Sequence, residues 1–294
     1  MDNLIKYIKK CKNNNNMRFV IYLFIALVIS SYLTMAILQS LLSSLLVTII
    51  LLFICFGKGV QSLLAFLISG KEITRQEDLI NIAGPINQTI STMKEAGLDL
   101  SDDIRFFVAK SEIPFAYAIG NNTIVVSEAL SALGKESPDI FQAKILNELY
   151  RMHTGDSNNI LAILGSNLLV SLVAIIVLGI NYFNMKTGRR YAGLFGNRNE
   201  VQDATFIFII VSIIVVIWAA ISYLFIKADV KRNILESDKF VSKLGYGQYM
   251  CYYLDNYTPA TTPYKLKIFE MGNPSVDQRI GAMQNMGVAY AKNY

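Results

Sequence analysis

The stretch "ILNELYRMHTGD" (residues 145–156) sets Asn147, Glu148 and Arg151 among apolar residues of a helical run and ends in the polar "HTGD". Read as a helix that begins near Ser137, with Pro138 in its first turn, it carries Glu148 and Arg151 three residues apart. Asn147 and Arg151 are four apart, so an amide, a carboxylate and a guanidinium share one helix face. Gly155 and Asp156 close the stretch. What these groups do together decides what kind of protein this is.

On either side of this helix lie long apolar runs. Crossing a bilayer core takes about 20 consecutive apolar residues. Four segments qualify: 19–39, 41–57 (extendable to about residue 68), 160–183 and 205–226. They read as two membrane hairpins, 19–68 and 160–226. The basic segment 1–18 carries Lys6, Lys9, Lys10, Lys12 and Arg18, which places the N-terminus on the cytoplasmic side. Lys227, Lys231 and Arg232 follow the last span and belong on the same side. The loop read over 184–204 holds Lys186, Arg189, Arg190 and Arg198 and is the exception to this rule.

Composition agrees. The 294 residues are 53% hydrophobic and 17% charged, where a soluble domain carries about a quarter charged residues. The net charge of +5 is scattered or sits beside spans, which favours membrane topology over nucleic-acid binding. Cys11, Cys55 and Cys251 form no CxxC pair, and no disulfide framework or thiolate metal site follows from them. The four spans contain no Asp or Glu, so no ion pathway is marked. Phosphate-binding glycine loops are missing, as is a G-x-S-x-G partner for the one histidine, His153.

Two soluble pieces remain, 71–158 and 229–294, expected to form one domain interrupted by the second hairpin. "EDLINIAGPINQTISTMKEAG" reads as a helix ending at Gly97 and disturbed at Gly84-Pro85. "DIRFFVAKS" and "NTIVVSEAL" read as strands.

Five local patterns in register with the spans resemble one family, the HtpX-like membrane zinc metallopeptidases, relatives of the CAAX-prenyl proteases. "PFAYAIG" (114–120) stands where the family has an edge strand P-N-A-F-A-x-G, and "NTIVVSEAL" (122–130) follows it. "NELYRMHTGD" is similar to H-E-x-x-H-x-x-x-G-D, "ILESDKFVSKLGYG" (234–247) to E-x-x-A-D and K-L-G-Y-G, and "NPSVDQRI" (273–280) to H-P-x-x-x-x-R-I. The resemblance implies an α-helical membrane protein of α+β type. It has four transmembrane helices and a cytoplasmic domain with the HtpX-like metallopeptidase fold and a small sheet.

Carried over position by position, the chemistry changes. In the family the two histidines bind zinc and the Glu activates a metal-bound water. Glu148 matches that base, now vestigial, while Asn147 and Arg151 occupy the histidine positions and Ile234 that of the third ligand. An amide oxygen is a poor zinc ligand, an alkyl chain offers no lone pair, and a guanidinium stays protonated. Unit charges 4 Å apart interact by about 4 kcal/mol at an effective dielectric near 20, and a dication roughly doubles the repulsion.

Asp156 and Asp238 match the carboxylates that orient metal-bound imidazoles, and Asn273 replaces a further histidine. Arg151, Glu148 and Asp238 are expected to form an ion-pair cluster where zinc would sit. Arg279 is expected to tie the C-terminal helix to the domain. Phe115, Ala116, Tyr117 and Ala118 are the expected peptide-binding edge strand, by main-chain pairing.

The expected function is that of an inactive membrane pseudoprotease with a binding or regulatory role in membrane protein quality control. Its setting is the bacterial cytoplasmic membrane, with both termini and the soluble domain cytoplasmic. No cofactor is expected, and the partners are the lipid bilayer and membrane proteins or extended peptides, with no nucleic acid. The alternatives are an active zinc metalloendopeptidase, and a structural membrane protein that uses the former cleft for a lipid or protein.

Overall fold

A computed structural model of the chain describes residues 8, 17–38, 40–55, 57–67, 70–72, 76–98, 100, 103–195, 198–258 and 272–291. These residues are mostly helical, with one small sheet. Two apolar helices, α1 (Met17–Leu38) and α2 (Leu41–Cys55), lead into a short helix α3 (Lys58–Leu67). Strand β1 (Gly70–Glu72) and helix α4 (Gln76–Glu95) follow. Next come β2 (Arg105–Ala109), β3 (Ala116–Ile119) and β4 (Thr123–Ser127). The helices α5 (Glu128–Glu136), α6 (Pro138–Thr154), α7 (Asp156–Phe195) and α8 (Arg198–Lys243) come after, and then α9 (Gly247–Tyr257) and α10 (Val276–Gln284).

Helices α7 and α8 have 40 and 46 residues. At 1.5 Å per residue they are about 60 and about 69 Å long, twice the roughly 30 Å hydrocarbon core of a bilayer. Both contain stretches long and apolar enough to cross a membrane, within Asp156–Ile180 and Phe208–Lys243, and Phe19–Leu33 is a shorter apolar stretch. The α1, α2, α7 and α8 helices pack side by side. The seam between α1, α7 and α8 is filled by Phe19, Tyr22, Ala26, Val170, Ala174 and Trp218. Their outer faces carry exposed Phe24, Val28, Leu46, Ile50, Ile175, Ile213, Val216 and Leu224. This is a far larger apolar surface than soluble proteins expose.

The expected loop over 184–204 is instead helical up to Phe195 and again from Arg198. No proline interrupts residues 139–258, and a glycine such as Gly188 or Gly193 costs a helix only about 1 kcal/mol. Helix α4 likewise continues through Gly84-Pro85 to Glu95. The "NTIVVSEAL" strand stops at Ser127. Its hydroxyl accepts hydrogen bonds from the Leu130 and Phe115 amides, at 3.1 and 2.9 Å, and so caps α5 while anchoring the approach to β3.

The sheet order is β1-β2-β4-β3, with β2 and β4 parallel and the outer pairs antiparallel, so β3 is an edge strand. Strand alternation gives the sheet two buried faces. Ala116, Ala118, Ile124 and Val126 face the core built from α4, α5, α6, α9 and α10. Phe115, Tyr117, Ile119 and Val125 face α3 and the start of α7. The sheet is therefore clamped between the soluble helices and the base of the apolar helices. At the β3–β4 turn, Gly120 has φ +67° and packs against Gln61 of α3, whose side-chain amide an added Cβ would meet.

Candidate functional site

The buried centre of the molecule is helix α6, in which every residue from Ile140 to Met152 except Tyr150 is buried. It ends at Gly155, whose left-handed φ of 83° turns the chain directly into α7. This bend lets Asp156, the first residue of α7, reach back to Arg151. On α8, the continuation beyond residue 226 carries Asn233, Ile234, Ser237 and Asp238 toward α6, and all four are buried.

Glu148 is fully buried and both its oxygens are engaged. Oε1 accepts from Lys144 Nζ at 2.6 Å. Oε2 accepts from the Ala118 amide at 2.9 Å and from Arg151 Nη1 at 3.3 Å. Arg151, 4% exposed, also donates from Nε to Asp156 Oδ2 at 2.7 Å, while Asn233 donates to Asp156 Oδ1 at 2.7 Å. The ammonium of Lys144 lies 5.7 Å from the ring centroids of both Tyr117 and Tyr253, within cation–π range.

A second ion pair lies beside the first. Arg279 of α10 grips Asp238 through Nε and Nη2, each at 2.7 Å, a bidentate pair. Asn147 donates to Asp238 Oδ1 at 2.8 Å and to Ser237 Oγ at 2.9 Å. Three cations, Lys144, Arg151 and Arg279, thus meet three carboxylates, Glu148, Asp156 and Asp238.

The expected positions therefore converge, with one change of partner. Arg151 joins Glu148 as expected, but its second carboxylate is Asp156, and Asp238 is taken by Arg279 and Asn147. The reason is reach: the Gly155 bend presents Asp156 to the guanidinium, while Arg279 enters from the C-terminal helix with the planar fork that a carboxylate fits best. Arg279 does tie that helix to the domain. Lys144, Asn233 and Ser237 were not anticipated. Lys144 stands at i−4 from Glu148, a spacing that signals a helix pair but not its burial.

Burial alone would raise the Glu148 carboxyl, but the Lys144 and Arg151 charges and the hydrogen bonds from Lys144 and the Ala118 amide hold it below the usual carboxylate range. Burial likewise disfavours the Arg151 charge, yet Glu148 and Asp156 push its pKa above the ordinary guanidinium value. The Lys144 ammonium is drawn below its ordinary value, first by burial, against the pull of Glu148. Burial and then Asp238 push the Cys251 thiol up to about 11, so it is no thiolate nucleophile near neutrality.

These residues do not fit a zinc ion. Asn147 turns its amide nitrogen to Asp238, Arg151 brings a charge of the wrong sign, and Ile234 brings an alkyl group. Both Glu148 oxygens already accept hydrogen bonds from protein groups. Among the described residues, no three His, Cys, Asp or Glu side chains group in a way that could hold a metal.

The edge strand is also covered. Phe115, Ala116, Tyr117 and Ala118 are all buried, the Ala118 amide is bonded to Glu148, and Tyr253 donates to the Pro114 carbonyl at 2.8 Å. Fold and site together define a mostly helical α+β protein with two membrane-length apolar helices and a buried network of charges at their base. No protein-family model, curated protein or solved structure matches the chain.

Proposed function

We propose that this chain is an integral membrane protein of the HtpX-like architecture that has exchanged metal chemistry for an internal ion-pair network. In this reading α1, α2, α7 and α8 are four transmembrane helices and the remainder is a cytoplasmic domain in the bacterial cell membrane. The protein is a pseudoprotease with a binding or regulatory role, membrane protein quality control being the process that such an architecture serves. The observation that carries the reading is Arg151, buried in the position of a zinc ligand and paired on both sides, with Glu148 and Asp156. Those two carboxylates stand where the family keeps its general base and a ligand-orienting acid.

Further support is geometric. Asn147 contacts Ser237 and Asp238, and Asn233 contacts Asp156, so Ile234 lies on α8 between residues that reach both ends of the site. The three positions that would hold a metal thus belong to one small region. The test restores them together as Asn147→His, Arg151→His and Ile234→Glu and follows casein cleavage with added zinc. Chelator-sensitive cleavage absent from the parent is the expected result. A folded triple variant that takes up no zinc contradicts the reading of this region as a former metal site.

A further inference from the structure

An unbroken chain of hydrogen bonds crosses the molecule. It starts at the Ala118 amide on β3, passes to Glu148 Oε2, from there to Arg151, on to Asp156 and ends at Asn233. Its two ends lie on unlike elements, the edge of the sheet and α8, and Asp156 is the first residue of α7. Every linking side chain is buried, so water does not compete for these bonds and each depends on its neighbour's position.

The sheet end of the chain has a definite sense. The Ser127 amide donates to the Phe115 carbonyl, which makes 115 and 127 a bonded pair. In the antiparallel ladder the bonded pairs alternate, so the Ala118 amide points away from β4. That is the donor a further strand would use. Glu148 occupies it with a carboxylate oxygen. The middle of the chain is incompletely satisfied: Arg151 Nη2 is buried without a hydrogen-bond partner. A guanidinium held by two of its three nitrogens is a link with a spare donor, and such groups are a reservoir for rearrangement.

We infer that this relay is a latch that couples the two long apolar helices to the edge of the sheet. With α7 and α8 in register, Asn233 and Asp156 hold Arg151, Arg151 holds Glu148, and Glu148 closes the β3 edge. A shift of α8 against α7 that separates Asn233 from Asp156 loosens Arg151 and frees the Ala118 amide. The inference stands on these bonds alone, whether or not the region once held a metal.

The test is hydrogen exchange read by mass spectrometry on the intact protein in detergent micelles. Asn233→Ala breaks the relay at the end remote from the sheet, and Arg232→Ala removes the exposed Arg232–Glu236 pair from the same helix as a control. The expected result is about tenfold faster exchange of the segment carrying Ala118 in Asn233→Ala, the effect of losing one hydrogen bond to a charged group. The β4 segment 123–127 keeps its parental rate, and Arg232→Ala leaves both unchanged. Asp156→Asn, which keeps the shape and removes the charge, gives the same pattern and serves if the first variant folds poorly. Parental exchange at Ala118 in these variants overturns the latch. So does equal acceleration of β3 and β4, which signals loose packing rather than a coupled edge.

Discussion

Arg151 is held by two carboxylates in a place where an unpaired charge would be very costly. Removing it leaves Glu148 and Asp156 buried without their shared cation, and breaking a buried pair in this way costs about 3–5 kcal/mol. Arg151→Ala is therefore expected to lower the unfolding midpoint of the detergent-solubilised protein by that energy, and a neutral substitution contradicts the cluster. The acid limb of stability belongs to Glu148. Its folded pKa lies below its unfolded one, held there against burial by Lys144 and Arg151, with Asp156 on the far side of the guanidinium. Its contribution is complete above the unfolded value and is lost as pH falls through the folded one. Thermal stability should fall on acidification below about pH 4, and Glu148→Gln should flatten that fall. At this scale much was legible, because Glu148 and Arg151 are spaced as helix neighbours and Gly155-Asp156 follows at once. The partner of Asp238 was not. Arg279 lies 41 residues away, and spacing along the chain says nothing about a C-terminal helix folding back.

Between elements, one glycine governs the geometry. Gly155 adopts a left-handed conformation that turns α6 into α7. A Cβ there costs about 1–2 kcal/mol and strains the bend that delivers Asp156 to Arg151. Gly155→Ala should destabilise by that amount, and an additive double-mutant cycle with Asp156→Asn would show that the bend does not serve the ion pair. Inside the apolar helices, Tyr22 hydroxyl and Ser222 hydroxyl lie 2.6 Å apart, Ser222 donates to Asn167, and Tyr22 stacks on Trp218 at 4.7 Å. Hydrogen bonds between apolar helices are worth about 0.6 kcal/mol on average, so Tyr22→Phe should cost roughly that in detergent unfolding, and several-fold more would mark a larger role. The apolar runs themselves were plain from the sequence. Helix ends were not: α7 and α8 run on well past residues 183 and 226 because nothing in those segments stops a helix. Strand β4 ends early because Ser127 caps α5 and the "EAL" that follows favours helix over strand.

For the whole molecule, the packed helices α1, α2, α7 and α8 present an apolar outer surface, and the sheet with its helices sits at one end of α7 and α8. Because those two helices are about twice as long as a bilayer core is thick, one continuous rod is long enough both to cross an apolar layer and to supply Asn233 and Asp238 to the site. If four helices span with the N-terminus inside, a cysteine at Ser40, between α1 and α2, labels from outside intact cells. One at Lys243 labels only after the membrane is opened, in a background where Cys11, Cys55 and Cys251 are serine. The reverse pattern would invert the topology. The central claim is that charges of this chain stand where a metal would be held. It is tested most directly by the zinc content of the full chain, purified without chelators and measured by elemental mass spectrometry. The account predicts zinc far below one ion per chain, whereas near-stoichiometric zinc would contradict it.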